Sequence, residues 1–162
     1  MKKAEVVLNH LELSERLEAL KAKGRKIVLS DGCFDLLRTG HARYLRAAKA
    51  LGDVLVLALP SDEAVQKALG PGRPLLPLED RLGILAAFEM VDWVTSYSKE
   101  GIEKLLENLK PDVYAVQGKA KVPKGSFGGK VVELKESGDQ EADQLIQEIL
   151  RKYPDPSMKI NE

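Results

Sequence analysis

Two side chains that can bind or polarise a phosphate, Arg38 and His41, lie three residues apart near the amino terminus of the 162-residue chain. They end the segment S-D-G-C-F-D-L-L-R-T-G-H, residues 30–41, which lies between an apolar run and a helix-like stretch. Gly32 allows the backbone to turn after a strand, and the unpaired N–H groups at the start of the next helix favour anions. The segment therefore predicts a phosphate-binding strand, turn and helix.

The pattern of apolar residues indicates which elements hold this segment in place. Short apolar runs alternate with stretches of helical periodicity. Strands are predicted at residues 26–30, 53–59, 92–95, 112–116 and 130–134, and helices at 14–23, 40–51, 78–90, 100–109 and 139–152, with a short helix starting at Ser61 or Asp62. Strands that are apolar throughout favour a parallel sheet covered by helices on both faces. We therefore predict an α/β fold, a Rossmann-like doubly wound parallel sheet.

We predict one domain over residues 1–152, with an N-terminal helical extension at residues 1–24 and a C-terminal tail at residues 153–162. A chain of this length can bury one good core. In a doubly wound sheet, ligands bind beyond the carboxyl ends of the strands, where the strand order reverses. Because the turn at Gly32 follows the first predicted strand, we expect a nucleotide to bind there.

Charge and cysteine content argue against several classes of function. The 25 Lys and Arg residues balance 25 Asp and Glu residues, so we expect no broad surface for nucleic acid or membranes. No apolar stretch approaches the length of a membrane span and no signal peptide is recognisable, so we expect a cytoplasmic protein. Cys33 is the single cysteine and His10 and His41 are the only histidines, so we expect no structural metal site.

The segment around Gly32 resembles the signature of the nucleotidyltransferase superfamily of cytidylyltransferases and sugar-phosphate adenylyltransferases. Five positions match its pattern G-x-F-D-x-x-H-x-G-H, namely Gly32, Phe34, Asp35, Gly40 and His41. Arg38 replaces the first histidine of that pattern. Further motifs resemble bacterial adenylyltransferases for heptose 1-phosphate: L-G-D-V-L-V-L at 51–57, S-D at 61–62, G-P-G-R-P at 70–74, R-L-G-I-L-A-A at 81–87, V-D-W-V at 91–94 and K-P-D-V at 110–113.

The resemblance implies a reaction in which a phosphate oxygen of a sugar phosphate attacks the α-phosphorus of ATP or CTP and pyrophosphate leaves. It implies three catalytic residues, His41, Arg38 and Arg81, of which the first two stabilise charge on the phosphates. The implied nucleotide-binding residues are Gly32, Cys33, Phe34, Arg38, Gly40, His41, Gln117 and Gly118, and the implied substrate-binding residues are Asp35, Lys67 and Arg73. Mg²⁺ carried by the nucleotide is the implied cofactor, and a homodimer is the implied assembly.

Departures from the family pattern leave other functions open. Leu69 replaces the lysine that usually precedes G-P-G-R-P, and Q-G-K-A at 117–120 replaces K-G-G-D. Carboxylates replace the hydroxyl donors of the motif G-x-S-T-T-x-I, at Asp139, Glu141 and Asp143. Carboxylates there repel a triphosphate unless a cation lies between them. A second hypothesis is therefore a degenerate member that binds a nucleotide or a partner without turnover. A third is a cytidylyltransferase acting on glycerol phosphate or another alcohol phosphate.

Overall fold

Strands and helices alternate along the chain in the computed structural model, which describes residues 3–98, 100–118, 127–135 and 139–154, without the side chains of 139–142. The strands are β1 (Glu5–Val6), β2 (Ile27–Asp31), β3 (Val54–Pro60), β4 (Trp93–Tyr97), β5 (Val113–Gln117) and β6 (Lys130–Leu134). The helices are α1 (His10–Ala22), α2 (Thr39–Lys49), α3 (Asp62–Leu69), α4 (Leu78–Leu85), α5 (Gly101–Leu109) and α6 (Asp139–Lys152). Every strand and helix predicted from the apolar pattern is present.

The strands form one parallel sheet in the order β1-β4-β3-β2-β5-β6. From β2 the chain continues to β3 on one side, and it later returns as β5 on the other side. The strand order therefore reverses between β2 and β5, where doubly wound sheets bind their ligands. The prediction of a Rossmann-like doubly wound parallel sheet in a single domain is confirmed.

Both faces of the sheet are buried against helices. The core on one face contains Tyr44, Leu45, Leu82 and Leu85 from α2 and α4, and the core on the other contains Leu13, Leu17, Leu105, Leu106 and Leu109 from α1 and α5. Val28 of β2 belongs to the first core, whereas its neighbours Ile27 and Leu29 belong to the second. Strand side chains alternate between faces, so a strand covered on both sides must be apolar throughout.

A tyrosine fixes α2 to the two strands that flank the reversal point. The Tyr44 hydroxyl donates to the carbonyl oxygen of Ala115 in β5 at 3.0 Å and shares a hydrogen bond of 2.6 Å with Ser30 Oγ in β2. Ser30 and Ala115 are paired across the sheet. All three residues are buried. The start of α2 is thereby held close to the carboxyl ends of β2 and β5.

The N-terminal segment differs from the helical extension predicted for residues 1–24, because it also contributes a strand. Glu5 and Val6 form β1 and pair with the outer edge of β4, where the Val7 N–H donates to the Val94 carbonyl oxygen at 2.9 Å. The two strand residues are both exposed, and two residues are too few to show an apolar pattern. The segment therefore completes the sheet instead of lying outside it.

Helix α1 begins at His10, earlier than the predicted start at Ser14. Its cap is Asn9, whose Oδ1 accepts hydrogen bonds from the N–H groups of Leu11 and Glu12 at 3.0 and 3.2 Å. Asparagine is among the preferred residues at this position because its side chain satisfies N–H groups that the helix leaves unpaired. The cap starts the helix one turn earlier than the apolar pattern indicates.

Two residues of the predicted tail, Tyr153 and Pro154, lie within the described part of the chain, and both are exposed. Residues 155–162 lie outside it. None of the helices in the described ranges combines the length and the apolar character needed to cross a membrane.

Candidate active site

In the turn after β2, the aromatic ring of Phe34 packs against the backbone at Gly32. Phe34 is buried and has a φ of 48°, a left-handed conformation that is uncommon for a residue with a side chain. Its ring lies so close to Gly32 that a Cβ at this glycine would be 3.0 Å from Phe34 Cε2. A larger residue at position 32 would require the Phe34 ring to shift by a few tenths of an ångström. The ring also packs against the imidazole of His41, with 5.8 Å between the ring centroids.

His41 is held by the first residues of its own helix. Its Nδ1 accepts a hydrogen bond from the backbone N–H of Arg38 at 3.0 Å, and the side chain is buried. When Nδ1 accepts, the proton of a neutral imidazole is on Nε2, so Nε2 is the nitrogen that donates. Gly40 is buried beside it, and Arg38 is exposed at the cap position of α2. The structure thus brings the histidine, the arginine and the helix start together at the reversal point.

Asp35 ties the turn to the loop before α4. Its carboxylate accepts hydrogen bonds from the N–H groups of Leu75 and Leu76 at 2.8–2.9 Å and from Arg73 Nε at 3.0 Å. The Asp35 side chain is 2% exposed. Asp35 and Arg73, both predicted to bind substrate, therefore lie in direct contact. In the structure the carboxylate orients the loop and the guanidinium.

Arg73 has a second partner at the far end of its side chain. Its Nη1 donates to Asp143 Oδ1 in α6 at 3.1 Å. Asp143 is one of the three acids that replace the hydroxyl motif of the resembling enzymes. The side chains of the other two, Asp139 and Glu141, lie outside the described residues, as do Lys119 and Ala120.

Arg81 is wholly buried and acts as a clamp between three segments. Its guanidinium donates to the carbonyl oxygens of Leu76, Cys33 and Pro60 at 3.0–3.1 Å and to Asp62 Oδ1 at 2.6 Å. The side chain has no solvent exposure. This geometry joins the ends of β2 and β3 to the loop before α4. The catalytic role that the family resemblance implies for Arg81 stays a prediction.

A cavity of about 540 Å³ opens beside the turn, between α3 and α5. Cys33 lines it from the turn, Lys67 and Leu69 from α3 and Glu103 from α5. The predicted substrate residue Lys67 therefore shares a cavity with the predicted nucleotide residue Cys33. A ligand in this cavity would meet one cationic and one anionic side chain on a largely apolar wall.

Gln117 ends β5 on the other side of the reversal point. Its side-chain nitrogen and oxygen are both buried and have no hydrogen-bond partner among the residues that the structure describes. An amide offers one acceptor and two donors, the groups that a nucleobase edge would need. Gly118 follows with a φ of 54°, and its N–H donates to the Leu134 carbonyl oxygen at 3.0 Å. Gln117 and Gly118, both predicted to bind the nucleotide, thus lie at the carboxyl end of β5, the strand next to β2. Gly32 follows the carboxyl end of β2.

The sequence reasoning missed a carboxylate with two tyrosines at the same edge of the sheet. The hydroxyls of Tyr97 and Tyr114 donate to Asp31 at 2.9 and 2.5 Å. Burial raises the pKa of Asp31 above its usual value of 3.8, although the two tyrosine hydrogen bonds act in the opposite direction. Part of the signal was present, because Asp31 directly follows the predicted strand 26–30 and Tyr97 lies two residues past the strand 92–95, but Tyr114 lies inside the strand 112–116 and carries no such signal.

We expect Asp31 to make the free energy of unfolding depend on pH. A carboxyl whose pKa is raised by folding contributes stability that is fully present below its usual value of 3.8 and is lost as the pH rises through the raised pKa. Asp31→Asn should abolish this loss, because an amide does not ionise and can still accept from a tyrosine hydroxyl. Urea unfolding of both proteins across a pH series measures it. Glu107→Gln, at an exposed position, is the control. If the free energy of unfolding depends on pH in the same way in Asp31→Asn and in the original chain, the prediction is wrong.

Comparisons with known proteins show the family to which the chain belongs. The cytidylyltransferase-like family matches residues 29–153. The bifunctional protein HldE of Alcanivorax borkumensis is 39% identical over 153 residues, which cover 90% of this chain and 32% of that protein. The chain therefore spans about a third of the length of this curated relative.

Two solved structures share the fold. The lipopolysaccharide core biosynthesis protein of Thermoplasma volcanium has a TM-score of 0.62 at 24% identity, covering 70% of this chain and 99% of that one. The pantoate-β-alanine ligase of Francisella tularensis has a TM-score of 0.59 at 17% identity, covering 97% and 82%. With a match over most of its length and the signature turn at the reversal point of its sheet, the chain belongs to the cytidylyltransferase-like family.

Proposed function

We propose that the chain is a nucleotidyltransferase that transfers a nucleoside monophosphate from ATP or CTP to a sugar phosphate. The observation that carries the proposal is the hydrogen bond from the Arg38 N–H to His41 Nδ1, at the helix start beside the reversal point. It orients the ring and, in a neutral imidazole, places the proton on Nε2, the nitrogen that we propose donates to a phosphate oxygen. In-line attack by the acceptor phosphate forms the new P–O bond as the bond to the β-phosphate breaks, and pyrophosphate leaves.

The residues around the turn have distinct parts in this proposal. His41 and Arg38 stabilise the negative charge that develops on the transferred phosphate. Backbone groups of Cys33 and Phe34 hold the nucleotide, and Gln117 offers its amide to the base. Lys67 and Arg73 neutralise the acceptor phosphate, and Asp35 orients Arg73 for that contact. Arg81 keeps the segments that carry these groups in register.

Mg²⁺ is the proposed cofactor, held by the phosphates of the nucleotide. Within the described ranges, no three His, Cys, Asp or Glu side chains are grouped as metal ligands, which suits a metal that arrives with its substrate. When bound with the nucleotide, the ion would neutralise charge on the triphosphate. We further propose ATP as the donor, heptose 1-phosphate as the acceptor and a cytoplasmic homodimer as the working form, on the motifs shared with heptose 1-phosphate adenylyltransferases.

Nucleotide binding is the first expectation. ATP or CTP with Mg²⁺ should raise the melting temperature, because a ligand that binds only the folded chain stabilises it by about 2.7 kcal/mol at a hundredfold excess over its dissociation constant. Thermal unfolding with each nucleotide in turn measures this, with adenosine and cytidine as controls that lack the phosphates. A folded chain whose melting temperature no nucleotide changes would contradict the proposal.

Pyrophosphate release then separates the finer proposals. Purified chain with ATP, Mg²⁺ and a panel of sugar 1-phosphates should release pyrophosphate, with D-glycero-D-manno-heptose 1-phosphate as the best acceptor. Release with CTP and glycerol phosphate instead would keep the reaction and change the substrates.

A second candidate function is nucleotide binding without turnover. Arg73 is already paired with a carboxylate, Arg38 replaces a histidine and Leu69 replaces a lysine. If no acceptor gives pyrophosphate, while Arg38→His combined with serine or threonine at Gln140 and Glu141 does, this second function holds for the natural chain.

A further inference from the structure

Arg73 lies between two carboxylates that differ in how firmly they are held. Asp35, on one side, is 2% exposed and also accepts the N–H groups of Leu75 and Leu76. Asp143, on the other side, is 72% exposed and reaches Arg73 from helix α6. The first carboxylate is part of the framework of the site. The second sits at the solvent side of the guanidinium, from where an incoming anion would approach.

The ion pair between Arg73 and Asp143 joins helix α6 to the loop before α4. Its Asp143 carboxylate competes with any phosphate for the guanidinium of Arg73, because both anions are attracted to the same charge.

We infer that Asp143 is the resident counter-ion of a phosphate site at Arg73, and that a ligand phosphate displaces it in order to bind. The inference rests on the proposed function, in which Arg73 receives the acceptor phosphate. Displacement is feasible because an ion pair with one exposed partner is weak in water. A phosphate carries more charge and more acceptor oxygens than a carboxylate, and guanidinium groups bind it in a bidentate manner. Asp143 therefore sets the affinity of this site for anions.

Removing the carboxylate charge tests the inference with inorganic pyrophosphate as the probe. Asp143→Asn should bind pyrophosphate about two- to fivefold more tightly than the original chain in calorimetric titration, as expected for the loss of one exposed competing ion pair. The gain should shrink at high salt, because exposed charges are screened. Glu12→Gln is the matched control, since it also removes an acid that pairs with an exposed arginine, Arg16, on helix α1.

A double-mutant cycle identifies the cation involved. Asp143→Asn should have no effect on pyrophosphate affinity when Arg73→Gln is already present, and Arg73→Lys should retain part of the effect. Unchanged or weaker binding by Asp143→Asn, an equal gain in the Arg73→Gln background, or no binding of pyrophosphate by any variant would overturn the inference. Nucleotide-induced stabilisation and pyrophosphate release report on the proposed function separately. If both are absent while the Asp143 effect persists, the proposed function fails and the anion site stands.

Discussion

His41→Asn is expected to lower turnover by about a hundredfold or more while leaving the fold intact. The asparagine Oδ1 can take the place of Nδ1 and accept the Arg38 N–H, so the start of α2 keeps its hydrogen bond. Asparagine has no atom that corresponds to Nε2, the proposed donor to phosphate. Loss of one such donor removes about 2.7–4 kcal/mol of transition-state stabilisation. Steady-state pyrophosphate release measures the change.

The other histidine supplies the control for this experiment. His10 Nε2 donates to the Ser96 carbonyl oxygen at 2.8 Å, away from the signature turn. His10→Asn should leave turnover within about twofold of the original chain, since substitutions away from such features have small effects. Arg38→Ala should cost less turnover than His41→Asn, because the exposed Arg38 has a more mobile head than the fixed imidazole. Turnover near that of the original chain in His41→Asn would remove His41 from the mechanism.

Arg81→Met is expected to lower the free energy of unfolding by about 3 kcal/mol, because three carbonyl oxygens lose a buried donor and the half-exposed Asp62 carboxylate loses its partner. Methionine fills a similar length with an apolar chain, so the loss reports the hydrogen bonds more than the volume. Because the guanidinium has no solvent exposure, water cannot readily take its place as the hydrogen-bond donor to these oxygens. Urea unfolding followed by far-ultraviolet circular dichroism measures the change.

The surface arginine Arg16 provides the matched substitution. It pairs with Glu5 and Glu12 but is 36% exposed, so Arg16→Met should cost less than about 1 kcal/mol. If Arg81→Met lowers the free energy of unfolding no more than Arg16→Met does, the hydrogen bonds of Arg81 do not hold the three segments together. If Arg81→Met loses the expected free energy of unfolding, its turnover is measured at a temperature low enough for the variant to stay folded. That turnover shows whether Arg81 also contacts phosphate.

The order of strands and helices could be predicted because the apolar pattern is local. β2, β3 and β5 each contain a short apolar run, and helices such as α2 and α5 show helical periodicity of their apolar residues. β1 could not be predicted, because it is only two residues long and both residues are exposed. The turn around Gly32 follows the strand at the reversal point, because the position of such a turn is determined by topology, but its role as a ligand site stays a prediction.

The partners of the site residues could not be predicted in the same way. Asp35 accepts from Leu75 and Leu76, which lie 40 and 41 residues further along in a loop without periodicity. Tyr97 and Tyr114 reach Asp31 from strands 66 and 83 residues away. Such contacts depend on how side chains of separate segments pack, and a residue type alone does not choose its partner. The roles in phosphate binding stay predictions.

β1 pairs with the outer edge of β4 and α1 packs against α5, so the folded unit starts before the residues that match the family. The family match begins at residue 29, yet Ala4 and Val7, each 4% exposed, and α1 lie before it. A chain trimmed to the matched residues would leave the outer edge of β4 unpaired and the apolar face of α5 open to water. An open strand edge is a template for pairing with another molecule. We therefore expect a chain that begins at residue 29 to associate through this open edge, whereas a chain that keeps β1 and α1 stays monodisperse.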